Sequence, residues 1–173
     1  MAAESYPTPQ AGQRATASLL RAMLPQTVRK MADEPRSATT TFADDTHLTF
    51  AVEANAVYRM NGAIKYFADP TPDIKVQFTT PTGTLGEWWW LMPGSTTAAT
   101  GTTGYSIRTE TNDVTGSRTG YGTSDSTMFT PIGGLWRVGS TAGSITMQWA
   151  QNTSNATATV LYTDSYLEFR RIA

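Results

Sequence analysis

The sequence predicts an all-β protein, an antiparallel β-sandwich of jelly-roll type behind a short helical N-terminal arm. Three observations carry this. Apolar and polar residues alternate with period two in several separate runs after Ser37, as in half-buried strands. Roughly 30 residues are threonine, which is β-branched and suits a solvated strand face. Charged residues are only 16% against about 25% in ordinary domains, so surface polarity comes from threonine, serine, glycine and asparagine.

The chain opens on a polar tail, Met1 to Gln10, carrying Pro7 and Pro9. A helix is expected from Thr16, whose hydroxyl can cap it, to Leu24. Leu19, Leu20, Met23 and Leu24 share one face, and Pro25 ends or kinks the helix. Val28 and Met31 extend the apolar stripe onto a second short turn, and Asp33, Glu34 and Pro35 close the zone. This divides the chain into an arm, 1–36, and a β-sandwich domain, 37–173. A helix this short is not stable alone. The stripe of Leu19, Leu20, Met23, Leu24, Val28 and Met31 therefore docks, either on its own β domain or on a partner chain. Arg14, Arg21, Arg29 and Lys30 flank it and are placed to set register against acidic partners.

Beyond Ser37, Leu48, Phe50 and Val52 alternate with Thr49 and Ala51. Tyr58, Met60, Gly62, Ile64 and Tyr66 follow after a tight turn at Asn55-Ala56. Ile74, Val76 and Phe78 form the next run, then Ile145, Met147 and Trp149, then Leu167 and Phe169. The large apolar members of these runs are expected to face the core. Turns are marked at Asp69-Pro70-Thr71-Pro72, Pro81-Thr82-Gly83, Pro93-Gly94 and Ala142-Gly143. Gly94 to Gly104 and Thr115 to Ser126 read as exposed loops, and Gly133-Gly134 as a bend or bulge.

Catalytic signatures are missing from the sequence. His47 is the one histidine, cysteine is absent, and a triad or a histidine–thiolate zinc site needs more than that. Glu53, Glu87, Glu110, Asp113 and Asp125 are the acids from which a glycosidase pair would have to come, yet no short pattern links two of them. Asp44-Asp45 lacks the ligand ladder of a calcium loop. A net charge of −1 leaves no basic excess for nucleic acid. No apolar run is long enough for a membrane span, and Met1 to Gln10 has no apolar core of a signal peptide. No enzyme, metal or cofactor is expected. The run Trp88-Trp89-Trp90 is the most conspicuous feature. In a strand Trp88 and Trp90 share one face and Trp89 takes the other, so one indole is offered to a subunit interface or to a sugar ring.

Several stretches resemble small structural proteins in tailed phages of actinobacteria. They are Leu19-Leu20 with Leu24-Pro25-Gln26-Thr27-Val28-Arg29-Lys30, and Ala43-Asp44-Asp45-Thr46-His47-Leu48 running into Val52-Glu53-Ala54-Asn55-Ala56-Val57-Tyr58. The likeness continues at Asp73-Ile74-Lys75-Val76, Gly86-Glu87-Trp88, Gly143 to Gln151 and Ser165 to Arg171. The resemblance implies a virion role: a minor tail or fibre-like protein touching the host surface, or a capsid decoration protein clamping the head. We expect a homo-oligomer, a trimer as first guess, with other virion proteins as partners and a host surface glycan as a candidate ligand. A free carbohydrate-binding module with Trp88 to Trp90 as platform is the rival reading, and a glycan depolymerase a remoter one.

Overall fold

The structure, a computed structural model, describes residues 6–7, 9–97, 103–114, 116–124 and 126–173. Among these the chain forms, in order, the helix α1 (Ala17–Met23) and the strands β1 (Gln26–Arg29), β2 (Glu34–Arg36), β3 (Ala43–Val52), β4 (Val57–Phe67), β5 (Ile74–Thr79) and β6 (Leu85–Thr97). There follow β7 (Thr103–Asp113), β8 (Arg118–Gly120), β9 (Met128–Arg137), β10 (Gly143–Gln151), β11 (Thr159–Leu161) and β12 (Tyr166–Arg171).

All the strand pairs are antiparallel, and they build two sheets. The larger runs β1-β12-β4-β9-β6-β7, with β11 bridging β2 and β4. The smaller runs β3-β10-β5-β8. The two close on one apolar core, as the alternation requires. Every expected core residue is buried: Leu48, Phe50, Val52, Ile64, Ile74, Val76, Phe78, Ile145, Met147, Trp149, Leu167 and Phe169. Aromatic rings tie the sheets together. Phe50 of β3 stacks on Phe169 of β12 at 4.3 Å, and Phe78 of β5 meets Trp88 and Trp136 edge-on at 5.1 and 5.2 Å.

The helix forms where expected, with Thr16 Oγ1 accepting from the Leu19 N–H at 3.2 Å. The segment after Pro25 differs from expectation. Val28 is not on a second helical turn. Gln26–Arg29 pairs with Phe169–Tyr166 of β12 as a strand, which packs Val28 against the core. Two adjacent β-branched residues, Thr27 and Val28, favour extension, and the open edge of β12 supplies the hydrogen-bond partners. Met31 lies beyond this strand and is 69% exposed. Glu34–Arg36 likewise pairs with β11. The inner end of the arm therefore moves from Arg36 back to Pro25.

Three further corrections follow from pairing. Pro93-Gly94 is no turn but part of β6, and Gly94 to Gly104 is largely taken up by β6 and β7, whose register runs from Glu87↔Asp113 to Thr97↔Thr103; residues 98–102 of the expected loop lie outside the described residues. Thr115 to Ser126 contains β8. Gly133-Gly134 makes neither bend nor bulge, because β9 keeps unbroken register with β4 and β6 through both.

A charged cluster lies where β1, β2 and β3 meet. Lys30 is fully buried, not a solvated flank of the arm. Its Nζ donates to Asp45 Oδ2 at 2.5 Å and to Glu34 Oε2 at 2.7 Å. Arg36 donates to Glu34 Oε1 from Nε at 3.0 Å and from Nη2 at 2.5 Å. It also reaches the carbonyls of Ala43, Asp44 and Trp149 and stacks on the Trp149 ring at 4.0 Å. Asp45 Oδ1 accepts from the N–H groups of His47 at 2.9 Å and Leu48 at 3.0 Å. Burial pushes the Asp45 carboxyl up, but Lys30 and these N–H groups outweigh it and hold the carboxyl below its usual range. The cluster joins the two sheets, since β2 belongs to one and β3 to the other.

Candidate functional site

The arm presents its apolar residues unevenly. Leu20, Met23 and Leu24 are 54%, 44% and 64% exposed, Leu19 is half-buried, and no residue of α1 is buried. The arm touches its own domain at one end of the sandwich. There Tyr6, Ala22 and Leu24 line a small cavity with Phe50, Tyr58 and Phe169, and the Arg171 guanidinium lies over the Tyr6 ring at 3.8 Å. Of the six stripe residues, Val28 belongs to the domain, while Leu20, Met23, Leu24 and Met31 remain on the surface.

The tryptophan run divides as the strand period requires. Trp88 and Trp90 are fully buried. Trp90 Nε1 donates to Thr130 Oγ1 at 2.7 Å, and its ring meets Tyr66 edge-on at 5.6 Å. Trp89 projects from the opposite, outer face of the larger sheet and is partly exposed.

Register explains its posture. Asn61, Gly133 and Trp89 lie side by side on β4, β9 and β6. A Cβ at Gly133 would stand 2.5 Å from Trp89 Cζ2 and 2.7 Å from Cε2. The missing side chain lets the indole lie down over β9, a close approach open only to glycine. Beside it opens a groove of about 310 Å³ with Arg59, Asn61, Glu87 and Leu135 among its walls. Phe129 and Leu85, at 58% and 67% exposed, stand on the same face by strand parity. The sequence marked Trp89; it did not mark Gly133, Arg59 or Asn61, which are brought together only by strand pairing. Gly133→Ala is expected to lift the indole off the sheet. The melting temperature should change by less than about 3 °C, because the obstructing atoms end a flexible side chain, while tryptophan emission shifts to the red.

Of the residues considered for catalysis, strand pairing sets only Glu87 and Asp113 side by side among the described residues. His47 Nδ1 lies 3.0 Å from Thr46 Oγ1, its backbone N–H is taken by Asp45, and no carboxylate is paired with its ring among the described contacts. Glu53 is tied to Arg171 at 2.6 Å. Asp44 Oδ1 accepts from Gln148 Nε2 at 2.7 Å. Glu87 faces Asp113 in register, and Asp125 lies outside the described residues. No group of three or more histidine, aspartate or glutamate side chains that could hold a metal ion occurs among the described residues.

Among the described residues, Asp73 is a buried acid raised above its usual range. Burial raises it and the Gly122 N–H, at 2.8 Å, lowers it. A carboxyl raised on folding binds its proton more tightly in the folded state. Its charge therefore costs stability above the folded pKa, and the cost disappears as pH falls below the unfolded value near 3.8. Asp73 also sits at φ 49°, which asparagine tolerates. Asp73→Asn keeps the acceptor for Gly122 and should raise the melting temperature at pH 7 by about 2–4 °C, on the order of 1 kcal/mol. The gain should vanish at acid pH in a calorimetric series.

No family model matches the chain, and no curated protein matches it. Among solved structures the chain is similar to the tripod (BppUct-A-L) from the baseplate of bacteriophage Tuc2009. The identity is 9% and the TM-score 0.38, over 95% of this chain and 72% of that chain. A score of that size is too low to transfer a role.

Proposed function

We propose that this chain is a non-enzymatic structural subunit of a phage virion, held in its particle by the residues up to Pro25 and presenting its sandwich outward. The observation that carries this is the surplus apolar surface of the arm. Leu20, Met23 and Leu24 stay exposed although the sandwich has closed its own core without them. Apolar surface left over in this way marks an assembly site. The sequence resemblance supplies the kind of assembly. A tail or fibre position in contact with the host is the first reading, and a head-decorating clamp the second. A homotrimer is the first arrangement to test.

The decisive truncation removes residues 1–25. A cut at Pro35 would strip β1 and β2 from the sheet and take Lys30 with them. The chain lacking 1–25 should fold and melt within about 5 °C of the full chain, since no residue of α1 is buried. It should also run as a smaller oligomer in light scattering and fail to enter virions supplied with it. Normal incorporation would refute the anchoring role.

A second reading rests on the Trp89 groove. A flat, partly exposed indole beside Arg59, Asn61 and Glu87 matches what a pyranose ring needs: an aromatic face for its C–H groups and polar groups for its hydroxyls. Binding on a glycan array that is lost in Trp89→Ala supports a host-glycan contact. An array signal unchanged by that substitution sinks it.

A further inference from the structure

The buried cluster around Lys30 is arranged for more than charge neutralisation. Lys30 and Asp45 have side chains with no solvent exposure, and Nζ touches Oδ2 at 2.5 Å. The two oxygens of Asp45 have separate surroundings. Oδ2 faces the amine, while Oδ1 is held by two backbone N–H groups, from His47 at 2.9 Å and Leu48 at 3.0 Å. That is the layout of an acyl group with one oxygen in an oxyanion hole and the other free to leave. A second carboxylate, Glu34, sits 2.7 Å from the same Nζ, and its other oxygen is clamped by Arg36 at 2.5 Å. Attack needs Nζ to move from this hydrogen bond to a place above the carboxyl plane, about 3–3.5 Å from Cγ.

We propose that Lys30 and Asp45 condense spontaneously to an intramolecular isopeptide bond, with Glu34 as the proton carrier. Glu34 moves one proton from the Lys30 ammonium to Asp45 Oδ2, leaving a neutral amine and a neutral acid. Nζ attacks Cγ, the Nζ–Cγ bond forms, and negative charge gathers on Oδ1 between the His47 and Leu48 N–H groups. Glu34 carries a second proton from the nitrogen to Oδ2. The Cγ–Oδ2 bond breaks and one water leaves. An ammonium and a carboxylate become an amide and a water, Glu34 ends as it began, and no oxidant or activating reagent is needed.

Two arguments favour the product. A buried ion pair carries the desolvation cost of both charges, and condensation removes both. The product also leaves no polar group stranded, because Oδ1 keeps its two N–H donors and the new amide N–H can donate to Glu34. Since Asp45 is held below its usual range, the ion pair is the state in which the chain folds, and condensation follows more slowly. The bond joins the segment after β1, in one sheet, to β3, in the other. A pull transmitted from residues 1–25 would meet β1 first and then stop at the covalent bond of Lys30, so the strands beyond it, β2 and β3, would be spared. The cross-link itself does not depend on what the arm does.

The test is the intact mass of the full chain, aged after purification and denatured in acid, followed by tryptic mapping. The wild type should be one water lighter than its sequence and yield a branched peptide joining Lys30 to Asp45. Glu34→Gln should keep its full mass with an unchanged circular dichroism spectrum. Asp45→Asn should form the same branched peptide with loss of ammonia. A wild type at full sequence mass, cut by trypsin after Lys30, overturns the proposal and leaves an ion pair. A Glu34→Gln chain as light as the wild type overturns the assignment of Glu34.

Discussion

Val76→Asp is expected to abolish soluble expression. Val76 is fully buried in β5, flanked by Trp149 of β10 on one side and Arg118 of β8 on the other. Its side chain enters the core shared by both sheets. The substitution removes roughly 1.5–3 kcal/mol of apolar burial. It also places a carboxylate where water cannot reach, at an effective cost of several kcal/mol even after relaxation. A domain has only about 5–15 kcal/mol in total, so the two terms together exhaust most of it. The neighbour in sequence gives the control. Gln77 points to the opposite face, where its Nε2 donates to Gln148 Oε1 at 2.6 Å. Gln77→Asp should give soluble protein with a modest loss of stability. Soluble fraction and melting temperature of the two variants measure the register directly, since a slip of one residue would exchange their outcomes. Normal yield of Val76→Asp would refute the strand assignment.

Lys30→Met should be the next most damaging change. It removes the partner of Asp45 whether that partner is held by charge or by a bond, and it leaves a carboxylate with no exposure facing an apolar side chain. Removing one member of a buried pair costs about 3–5 kcal/mol, which for a chain of this length lowers the melting temperature by roughly 10 °C. Asp45 cannot simply turn away, because Oδ1 is fixed by the His47 and Leu48 N–H groups. A second substitution separates charge from shape. Lys30→Met with Asp45→Asn restores neutrality while an amide oxygen still accepts from both N–H groups, so most of the loss should be recovered. A double variant no better than the single would mean that the lost cross-link or the packing around the lysine stem, not the stranded charge, sets the cost.

The sandwich was legible in the sequence where alternation is strong. Each of the long runs became a strand, and their apolar members became the core, because period two leaves one choice of inner face once one side must be buried. The cap at Thr16 and the stop at Pro25 were legible for the same reason, since each acts through its immediate neighbours. What could not be read is what pairing creates. Gln26–Arg29 has four residues and no alternation to speak of, and becomes a strand only because β12 offers an edge. Gly133-Gly134 carries the usual signal of a bend, yet serves as clearance: Trp88 lies against Gly134 and Trp89 over Gly133. Lys30 looks like a basic flank until Asp45, fifteen residues on, is brought against it. The Trp89 groove belongs to the same class, because Arg59 and Asn61 lie far from Trp89 in sequence and adjoin it only across β9.

The distribution of the five tryptophans has an optical consequence. Trp88, Trp90, Trp136 and Trp149 are sealed in the interior, and the indole N–H groups of Trp88, Trp136 and Trp149 meet no acceptor. Their excited states find little to relax against, so they emit at short wavelength and lie beyond the reach of iodide or acrylamide. Trp89 alone is open to a collisional quencher. The quenchable share of the emission is thus the signal of a single side chain on the outer sheet. Whatever covers that face, sugar or sister subunit, announces itself as a loss of quenching, with no label attached to the protein.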